Sequence, residues 1–153
     1  MQLNWLVKPF SEITAIEFHD LIQLRLKVFV IEQNCVYLDV DGKDKKCYHV
    51  LCRDGKGKVV ATARIVPPGI SYTELSIGRV VVDQSLRGTG AGHTLIEKCK
   101  EYIKEEFGDV AIRISAQKHL EGYYGKHNFI ATGKEYLEDD IPHSEMLYTP
   151  STK

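Results

Sequence analysis

The segment that most constrains this chain runs from Val80 to Gly92 and reads VVVDQSLRGTGAG. Its β-branched valines favour a strand, and its glycines lead directly into an amphipathic segment that favours a helix. Glycine lets a backbone approach a ligand closely, and the first turn of a helix has N–H groups without intrahelical partners. Because these groups and the helix dipole attract anions, this strand–loop–helix unit predicts a binding site for a phosphorylated or pyrophosphorylated ligand.

The spacing of the glycines discriminates between kinds of phosphate site. A P-loop requires Gly-x-x-x-x-Gly-Lys followed by Ser or Thr, and no glycine here leads into that pair. A dinucleotide-binding loop requires Gly-x-Gly-x-x-Gly, but neither Gly88 nor Gly90 has a glycine five positions later. A nucleotide-binding redox domain is therefore disfavoured. The pattern that fits is Arg-x-x-Gly-x-Gly, formed by Arg87, Gly90 and Gly92.

Length and composition place the chain among ordinary soluble globular proteins. Its 153 residues predict one domain over 1–153, large enough to bury a core. No apolar run approaches the roughly 20 residues that span a bilayer, and no signal-peptide pattern opens the chain, so a cytoplasmic protein without membrane contact is expected. A net charge of -1 argues against a nucleic-acid partner. No second ligand pair accompanies Cys47, His49 and Cys52, so we expect reduced thiols and no metal.

Hydrophobic periodicity and turn residues predict an α+β or mixed α/β sheet with helices on both faces. Ser11 is the expected N-cap of a first helix or helix pair that reaches about residue 33. Gly108 is the expected C-cap of a helix that begins at about Ala91 and ends near Phe107. The predicted strands are 2–9, 47–53, 58–66, 75–82 and 110–116, followed by a helix over about 118–127 and strand-like pieces at 129–132 and 146–149.

The second half of the chain adds a motif to the glycine loop. Tyr123-Tyr124-Gly125-Lys126-His127-Asn128-Phe129 follows the predicted helix–strand–helix unit, and with Arg87-x-x-Gly90-x-Gly92 it resembles the GNAT superfamily of N-acetyltransferases. In that pattern a tyrosine precedes a Gly-Phe pair, so Tyr124 matches the tyrosine and Asn128 replaces the usual glycine. Asparagine is the next most tolerant residue of the left-handed conformation at a helix C′ position, so this departure is mild.

Four stretches resemble the ElaA-like branch of the superfamily more closely. They are Leu26-Lys27-Val28-Phe29-Val30-Ile31-Glu32-Gln33-Asn34-Cys35, Ile77-Gly78-Arg79-Val80-Val81-Val82, Ala116-Gln117-Lys118-His119-Leu120 and Ile141-Pro142-His143. The resemblance covers roughly residues 5–148. It implies the GNAT acyl-CoA N-acyltransferase fold, with a largely antiparallel central sheet, helices on both faces and a strand pair that splays apart at the cofactor site. It supplies a reaction, acetyl transfer from acetyl-CoA to an amine, but no acceptor.

The resemblance also implies where acetyl-CoA, the co-substrate, would bind. The pantetheine amides would pair with the strand Val80-Val81-Val82, and Gln117 stands seven residues before the tyrosine, where the superfamily often has asparagine. The pyrophosphate would lie on the backbone of the loop and first helical turn, formed by Arg87, Gly88, Thr89, Gly90, Ala91, Gly92 and His93. Tyr124 is expected to be the general acid that protonates the leaving thiolate, with a side chain in the core as the alternative.

Direct transfer in a ternary complex also requires a neutral amine. A lysine-like amine has a pKa of about 10.4, so its neutralisation at pH 7 costs about 4.6 kcal/mol. We therefore expect a general base in the site that removes the proton of the amine. Glu74 is the first candidate, because a residue near that point of the strand is the base in some relatives. His143 and Glu145 are its rivals, and an exposed strand-end charge remains the alternative for Glu74.

The acceptor side of the site is the least constrained. Glu32 and Gln33 end the first helical region, where relatives shape the acceptor pocket, and are weak candidates for substrate binding. A group of carboxylates near the C-terminal end of the sequence either lies in solvated loops or forms an acidic rim that attracts a cationic amine. They are Glu135, Glu138, Asp139, Asp140 and Glu145. The acceptor is expected to be a small-molecule or peptide amine. A non-catalytic domain that binds or senses acyl-CoA is the alternative function, and the resemblance leaves a homodimer open.

Overall fold

In the computed structural model, which describes residues 2–150, seven strands form two antiparallel sheets. The first sheet has the order β1-β2-β3-β4 and the second the order β5-β7-β6. The strands and helices in chain order are β1 (Asn4–Pro9), α1 (Ala15–Arg25), β2 (Tyr48–Arg53), β3 (Val59–Val66), β4 (Ser76–Val82), α2 (Ala91–Phe107), β5 (Ile112–Gln117), α3 (Glu121–Gly125), β6 (Ile130–Glu138) and β7 (Ile141–Tyr148).

The two sheets meet where β4 and β5 run side by side. A single parallel bridge joins Leu75 to Ile112, and the N–H of Arg113 donates to the Leu75 carbonyl at 2.9 Å. Beyond that point β4 pairs only with β3, and β5 pairs only with β7, among the described strands. The strands therefore diverge toward their carboxyl ends, which confirms the expected splayed pair.

Helix α2 begins and ends where the sequence predicts. Its apolar residues Leu95, Ile96, Cys99 and Ile103 recur at helical spacing and are at most 1% exposed. Full burial of each such side chain stabilises the fold by about 1.5–3 kcal/mol, which fixes the first turn of α2 against the sheet. Gly108 follows with φ of +88°, a value open to glycine, and this confirms it as the C-cap.

Helix α1 covers the opposite face of the first sheet. Leu21, Leu24 and Val28 pack against Leu51 of β2 and, in the same cluster, against Val59 and Val81. The core on the other face contains α2, Val50 and Ile77. Helices therefore lie on both faces, as predicted.

The start of α1 corrects the sequence prediction. Its N-cap is Thr14 rather than Ser11, because Thr14 and Glu17 form a capping box in which each side chain bonds the other residue's N–H. Ser11 lies in a short 3-10 turn instead. After Arg25 the chain continues as a π-helical segment over Leu26–Glu32, so the first helical region ends close to the predicted residue 33.

The last third of the chain also differs from the prediction. The helix expected over about 118–127 is a 3-10 turn, Lys118–Leu120, followed by the short α3. The two strand-like pieces of the tail are longer strands, β6 and β7, joined by a tight turn in which Asp139 and Asp140 both have positive φ. Eight of the nine residues of β6 are exposed, so the strand lacks the apolar alternation that marks a half-buried strand in a sequence.

The four cysteines are free thiols, as expected, and three of them are buried. No helix within residues 2–150 combines the length and the apolar composition that a bilayer crossing requires. Within the same residues, no group of three or more His, Cys, Asp or Glu side chains is arranged to hold a metal ion.

Candidate active site

Two cavities flank the diverging ends of β4 and β5. The loop cavity, of about 710 Å³, is lined by the glycine loop, β4 and α3. The hairpin cavity, of about 130 Å³, is lined by residues 77–80 of β4, by β5 and by the tip of the β6–β7 hairpin. The residues that line both cavities are Phe29, Gln33, Val80, Gln117, Leu120 and Tyr124. The two cavities therefore meet between the strands, and a reaction there can take one reactant from each side.

A β-bulge in β4 shapes this meeting point. Thr62 of β3 pairs with Val81 and Arg64 pairs with Gly78, so two residues of β4, Arg79 and Val80, face one residue of β3. Arg79 has φ of +48°, a conformation that a side chain with a Cβ rarely adopts. The bulge bends the strand and interrupts its ladder, which frees backbone groups of β4 beside both cavities.

Acidic side chains hold the bulge in place. The Nε of Arg79 lies 2.9 Å from Asp39 Oδ1, and its Nη2 donates to the Asp39 carbonyl at 3.0 Å. Arg25 in turn donates to Asp39 and Asp44 at 2.9 and 2.7 Å, and all three of these side chains are at most 2% exposed. A buried charge is tolerated only with such partners, so this network fixes the loop between α1 and β2 against β4.

The phosphate loop, Arg87–Gly92, has the geometry expected of an anion site. Gly88 and Gly90 have φ of +84° and +86°, values that glycine adopts without strain. Within residues 2–150, the N–H groups of Gly88, Gly90, Gly92 and His93 have no acceptor. These four donors and the positive end of the α2 dipole are available to a phosphate.

Gly92, at the end of the loop, makes one close approach to α3. A Cβ added to Gly92 would overlap the hydroxyl of Tyr123, whose ring lies on the opposite wall of the loop cavity. Arg87 lines the same cavity and donates to Glu32 Oε1 at 2.7 Å. Val80, Val81, Val82, Ala91 and Gln117 complete the set of predicted cofactor residues that line it, whereas Thr89 bonds the Leu86 carbonyl and does not.

Tyr124 lies on α3 with its side chain between the cavities. Burial raises the pKa of its phenol well above the ordinary value of 10, so the group stays protonated at neutral and alkaline pH. Its ring packs edge-on against Tyr123 and Phe129, at 5.4 and 6.1 Å between centroids. Asn128 ends this region with φ of +70°, as expected from its replacement of glycine. The position can present a hydroxyl donor to an atom between the strands.

Two of the three candidate bases lie elsewhere. Glu74 and Glu145 are both bound to Arg113, whose Nη2 and Nη1 donate to them at 2.8 and 2.9 Å. The hydrogen bond from Arg113 lowers the pKa of Glu74 to about 2. Neither carboxylate lines the loop cavity or the hairpin cavity. This placement does not favour Glu74 or Glu145 as the base.

His143 lines the hairpin cavity together with Tyr124. Its Nδ1 lies 2.7 Å from the Ile141 carbonyl, and because a carbonyl only accepts, Nδ1 carries the proton and Nε2 of the neutral ring is free to accept one. Glu138 Oε2 lies 3.4 Å from that Nε2, and the ring of Tyr136 stacks on the imidazole. Among the three candidates, His143 alone lines either of the two cavities.

Some carboxylates of the acidic segment, residues 135–145, line the hairpin cavity, and others form ion pairs away from it. Glu138 and Asp139 line the hairpin cavity, Glu135 accepts from Lys118 at 2.6 Å, and Glu145 is buried against Arg113. Gln33 lines both cavities, and Glu32 lines the loop cavity rather than the expected acceptor side. Tyr37 and Arg79 also line the hairpin cavity and were not predicted, because no local pattern marks them.

Comparisons with known proteins agree with this geometry. The family model described as "Acetyltransferase (GNAT) domain" matches residues 27–150. Protein ElaA of Escherichia coli is 36% identical over 146 residues, which is 94% of this chain and 95% of that protein. Its crystal structure superposes with a TM-score of 0.89 at 35% identity, over 96% of this chain and 99% of that one.

A solved acyl-CoA N-acyltransferase from Pseudomonas aeruginosa is also similar, with a TM-score of 0.92 and 38% identity over 97% of this chain and 100% of that one. A more distant structure, an aminoglycoside 6'-N-acetyltransferase complexed with coenzyme A, has a TM-score of 0.70 at 16% identity, over 97% of this chain and 98% of that one. At that identity the likeness concerns the fold alone.

Proposed function

The chain belongs to the GNAT acetyltransferase family and has ElaA among its relatives, and from that premise we propose that it transfers the acetyl group of acetyl-CoA to a primary amine. The observation that carries the proposal is the meeting of the two cavities at Tyr124 and Gln117. One cavity has the free N–H groups of the phosphate loop, and the other has His143 and two carboxylates. Such a site brings two reactants together without a covalent enzyme intermediate.

The phosphate loop would hold the pyrophosphate, and the bulged strand would pair with the pantetheine amides. The unpaired donors of Gly88, Gly90, Gly92 and His93 and the close approach at Gly92 support this fit. The thioester supplies an activated acyl group. Gln117 lies where both cavities open, so we assign its amide to orienting the end of the pantetheine arm.

His143 would accept the proton that the attacking amine loses, through Nε2. The amine nitrogen forms the new bond to the carbonyl carbon, the carbon–sulfur bond breaks, and the sulfur keeps the electron pair. Tyr124 would stabilise that thiolate by donating its hydroxyl hydrogen bond and then its proton. Because burial raises the pKa of Tyr124, hydrogen bonding to the developing charge contributes more than early proton transfer.

The hairpin cavity supports a cationic acceptor. Arg79, the one arginine that lines it within residues 2–150, is already neutralised by Asp39 and Asp41 at 2.9 and 3.3 Å. Glu138 and Asp139 line the same cavity, and within residues 2–150 neither carboxylate pairs with a lysine or an arginine, so the cavity attracts positive charge. We therefore propose a small-molecule or peptide amine that carries a cationic group.

The proposal is tested by incubating the protein with acetyl-CoA and a panel of polyamines, amino sugars, amino acids and peptide N-termini. Release of free thiol and an increase of one acetyl group in the mass of the amine are the expected results. Tyr124→Phe should lower kcat by about 10- to 1,000-fold while the Kd for coenzyme A stays within twofold, since only the donor is removed.

Transfer to no amine, with tight coenzyme A binding retained, would contradict catalysis and leave a domain that only binds acyl-CoA. Equal turnover by wild-type and Tyr124→Phe proteins, under conditions in which chemistry limits the rate, would remove the role of Tyr124. His19→Gln is the control variant, because His19 is exposed on α1 and lines neither cavity.

A further inference from the structure

Three titratable side chains form a series of hydrogen bonds that begins at the loop cavity. His93 Nδ1 lies 2.8 Å from His127 Nε2, and His127 Nδ1 bonds Glu97 Oε2. His93 is in the first turn of α2, Glu97 follows one turn later, and His127 comes from the residues after α3. These hydrogen bonds, which we call the histidine relay, therefore connect α2 to the segment that follows α3.

The order of protons in the relay follows from its end. A carboxylate only accepts, so His127 Nδ1 donates to Glu97, and Nε2 of the neutral ring must then accept. The donor to it is His93 Nδ1, which leaves His93 Nε2 as a bare acceptor. Within residues 2–150 that nitrogen has no hydrogen-bond partner.

One added proton reverses the relay. A protonated His127 donates from both nitrogens, to Glu97 and to His93 Nδ1. His93 then carries its own proton on Nε2 and becomes a hydrogen-bond donor at that atom. The ring of His127 is buried, at 5% exposed, whereas His93 lines the loop cavity. Protonation of the buried ring therefore changes the hydrogen-bonding role of His93 at the cavity.

The surroundings of His93 disfavour its protonation in the free protein. Burial lowers its pKa, and the nearby His127 and Lys126 lower it further. Tyr123 stacks on the His93 ring at 4.3 Å, and Lys100 lies 3.8 Å from Glu97 and donates to the His127 carbonyl. The negative charge of a phosphate in the loop cavity would act in the opposite direction to these cations and favour protonation of the relay. The other charged or titratable side chains that line this cavity are Arg87, Glu32, His119 and Tyr124.

We propose that the histidine relay, His93–His127–Glu97, binds a phosphate group of the acyl-CoA in its protonated form, so that cofactor binding takes up one proton. The proposal rests on the proposed function, because it requires a phosphate in the loop cavity. His93 is the residue that contacts the ligand, and His127 and Glu97 are positioning residues that store the proton. Cofactor affinity therefore decreases as the pH rises.

Isothermal titration calorimetry tests this without catalysis. Coenzyme A and dephospho-coenzyme A are each titrated into the whole protein at pH 7 and at several higher and lower pH values. Buffers of different ionisation enthalpy give the number of protons taken up. We expect uptake of up to one proton by the wild-type protein, and a Kd that rises by up to about tenfold per pH unit between the pKa values of the free and bound relay.

Dephospho-coenzyme A lacks the 3′-phosphate, whose pKa of about 6 would add its own protons. Uptake with both ligands assigns the relay to the pyrophosphate, and uptake that requires the 3′-phosphate and disappears in His127→Gln assigns it to that group. His93→Gln keeps a donor that does not titrate, so it should abolish proton uptake while coenzyme A still binds at high pH. His19→Gln should behave as the wild type.

Three outcomes would overturn the relay. They are coenzyme A binding by the wild type with no proton uptake, equal uptake by the wild type and His127→Gln, and equal uptake by the wild type and His93→Gln. These outcomes are distinguishable from failure of the proposed function. If the loop cavity is not the cofactor site, neither ligand binds at any pH, and if the protein binds coenzyme A without transferring acetyl groups, the proton uptake is still observed.

Discussion

Arg113 holds the carboxylate of Glu74 through two hydrogen bonds, from Nη2 to Oε2 at 2.8 Å and from Nε to Oε1 at 3.1 Å. The same arginine donates to Glu145, so both glutamates share one cation. A carboxylate whose pKa is lowered to about 2 is a weak base toward an ammonium ion with a pKa of about 10.4. The position of Glu74 in the sequence suggests it as the base, but its ion pair with Arg113 argues against that role.

Glu74→Gln should therefore leave turnover within about twofold of the wild type, because no catalytic proton is lost. Its effect should appear in stability instead. The lowered pKa means that the Glu74 charge stabilises the fold above pH 4.5 and that this contribution is lost as the pH falls toward 2. Urea unfolding at pH 7 and at pH 3 measures the difference. A large loss of kcat in a folded variant would restore Glu74 as the base.

His143→Gln should lower kcat by about 10²- to 10⁴-fold, since the general base is removed. Coenzyme A affinity, measured by calorimetry, should not change, since His143 lies outside the loop cavity. An unchanged kcat in His143→Gln, under conditions in which chemistry limits the rate, would exclude His143 as the base.

Asp44→Asn should destabilise the fold by about 3–5 kcal/mol, because Arg25 and Arg64 would lose part of their buried counter-charge. Burial alone would raise the pKa of Asp44, but the hydrogen bonds and charges of Arg25 and Arg64 together outweigh it, and the pKa is lowered. The stabilisation by this carboxylate is therefore present above about pH 3.8 and decreases at lower pH. Urea unfolding at pH 7 measures the loss, and exposed Glu105→Gln is the control. A loss below 1 kcal/mol would contradict the prediction.

Local patterns explain which parts of the fold the sequence predicts. Helix α2 and the glycine loop follow from periodicity and from residues that favour specific backbone angles, and Asn128 adopts the left-handed conformation for the same reason. The Arg25–Asp39–Arg79 network joins residues 14 to 54 positions apart, since Arg79 follows Arg25 by 54 residues, so no local pattern marks it. The same holds for Glu74, whose role depends on Arg113, a partner on β5 that is 39 positions away in the sequence.

Asp139 and Asp140 give a matched pair for testing the charge of the acceptor side. They are neighbours in one turn with φ of +51° and +62°, but Asp139 lines the hairpin cavity and Asp140 does not. Asparagine tolerates both conformations, so each Asp→Asn change removes one charge without backbone strain. Asp139→Asn should raise KM for dicationic amines by about 2- to 5-fold, and Asp140→Asn should leave it nearly unchanged. Equal effects of the two variants, or an equal effect on neutral amines, would contradict the proposal of a cationic acceptor.

Gly92→Ala tests the close approach of the phosphate loop to α3. A Cβ at this position overlaps the Tyr123 hydroxyl, and relief of the overlap should cost about 1–3 kcal/mol of stability and weaken coenzyme A binding. Tyr123→Phe removes the overlapping oxygen, and the remaining ring carbon is 3.4 Å from the position that the added Cβ would occupy. In that background the same substitution should become neutral or stabilising by up to about 1 kcal/mol, because alanine favours a helix more than glycine does. Thermal unfolding of the four proteins in the double-mutant cycle measures the coupling, and strictly additive changes would show that Gly92 and Tyr123 do not interact.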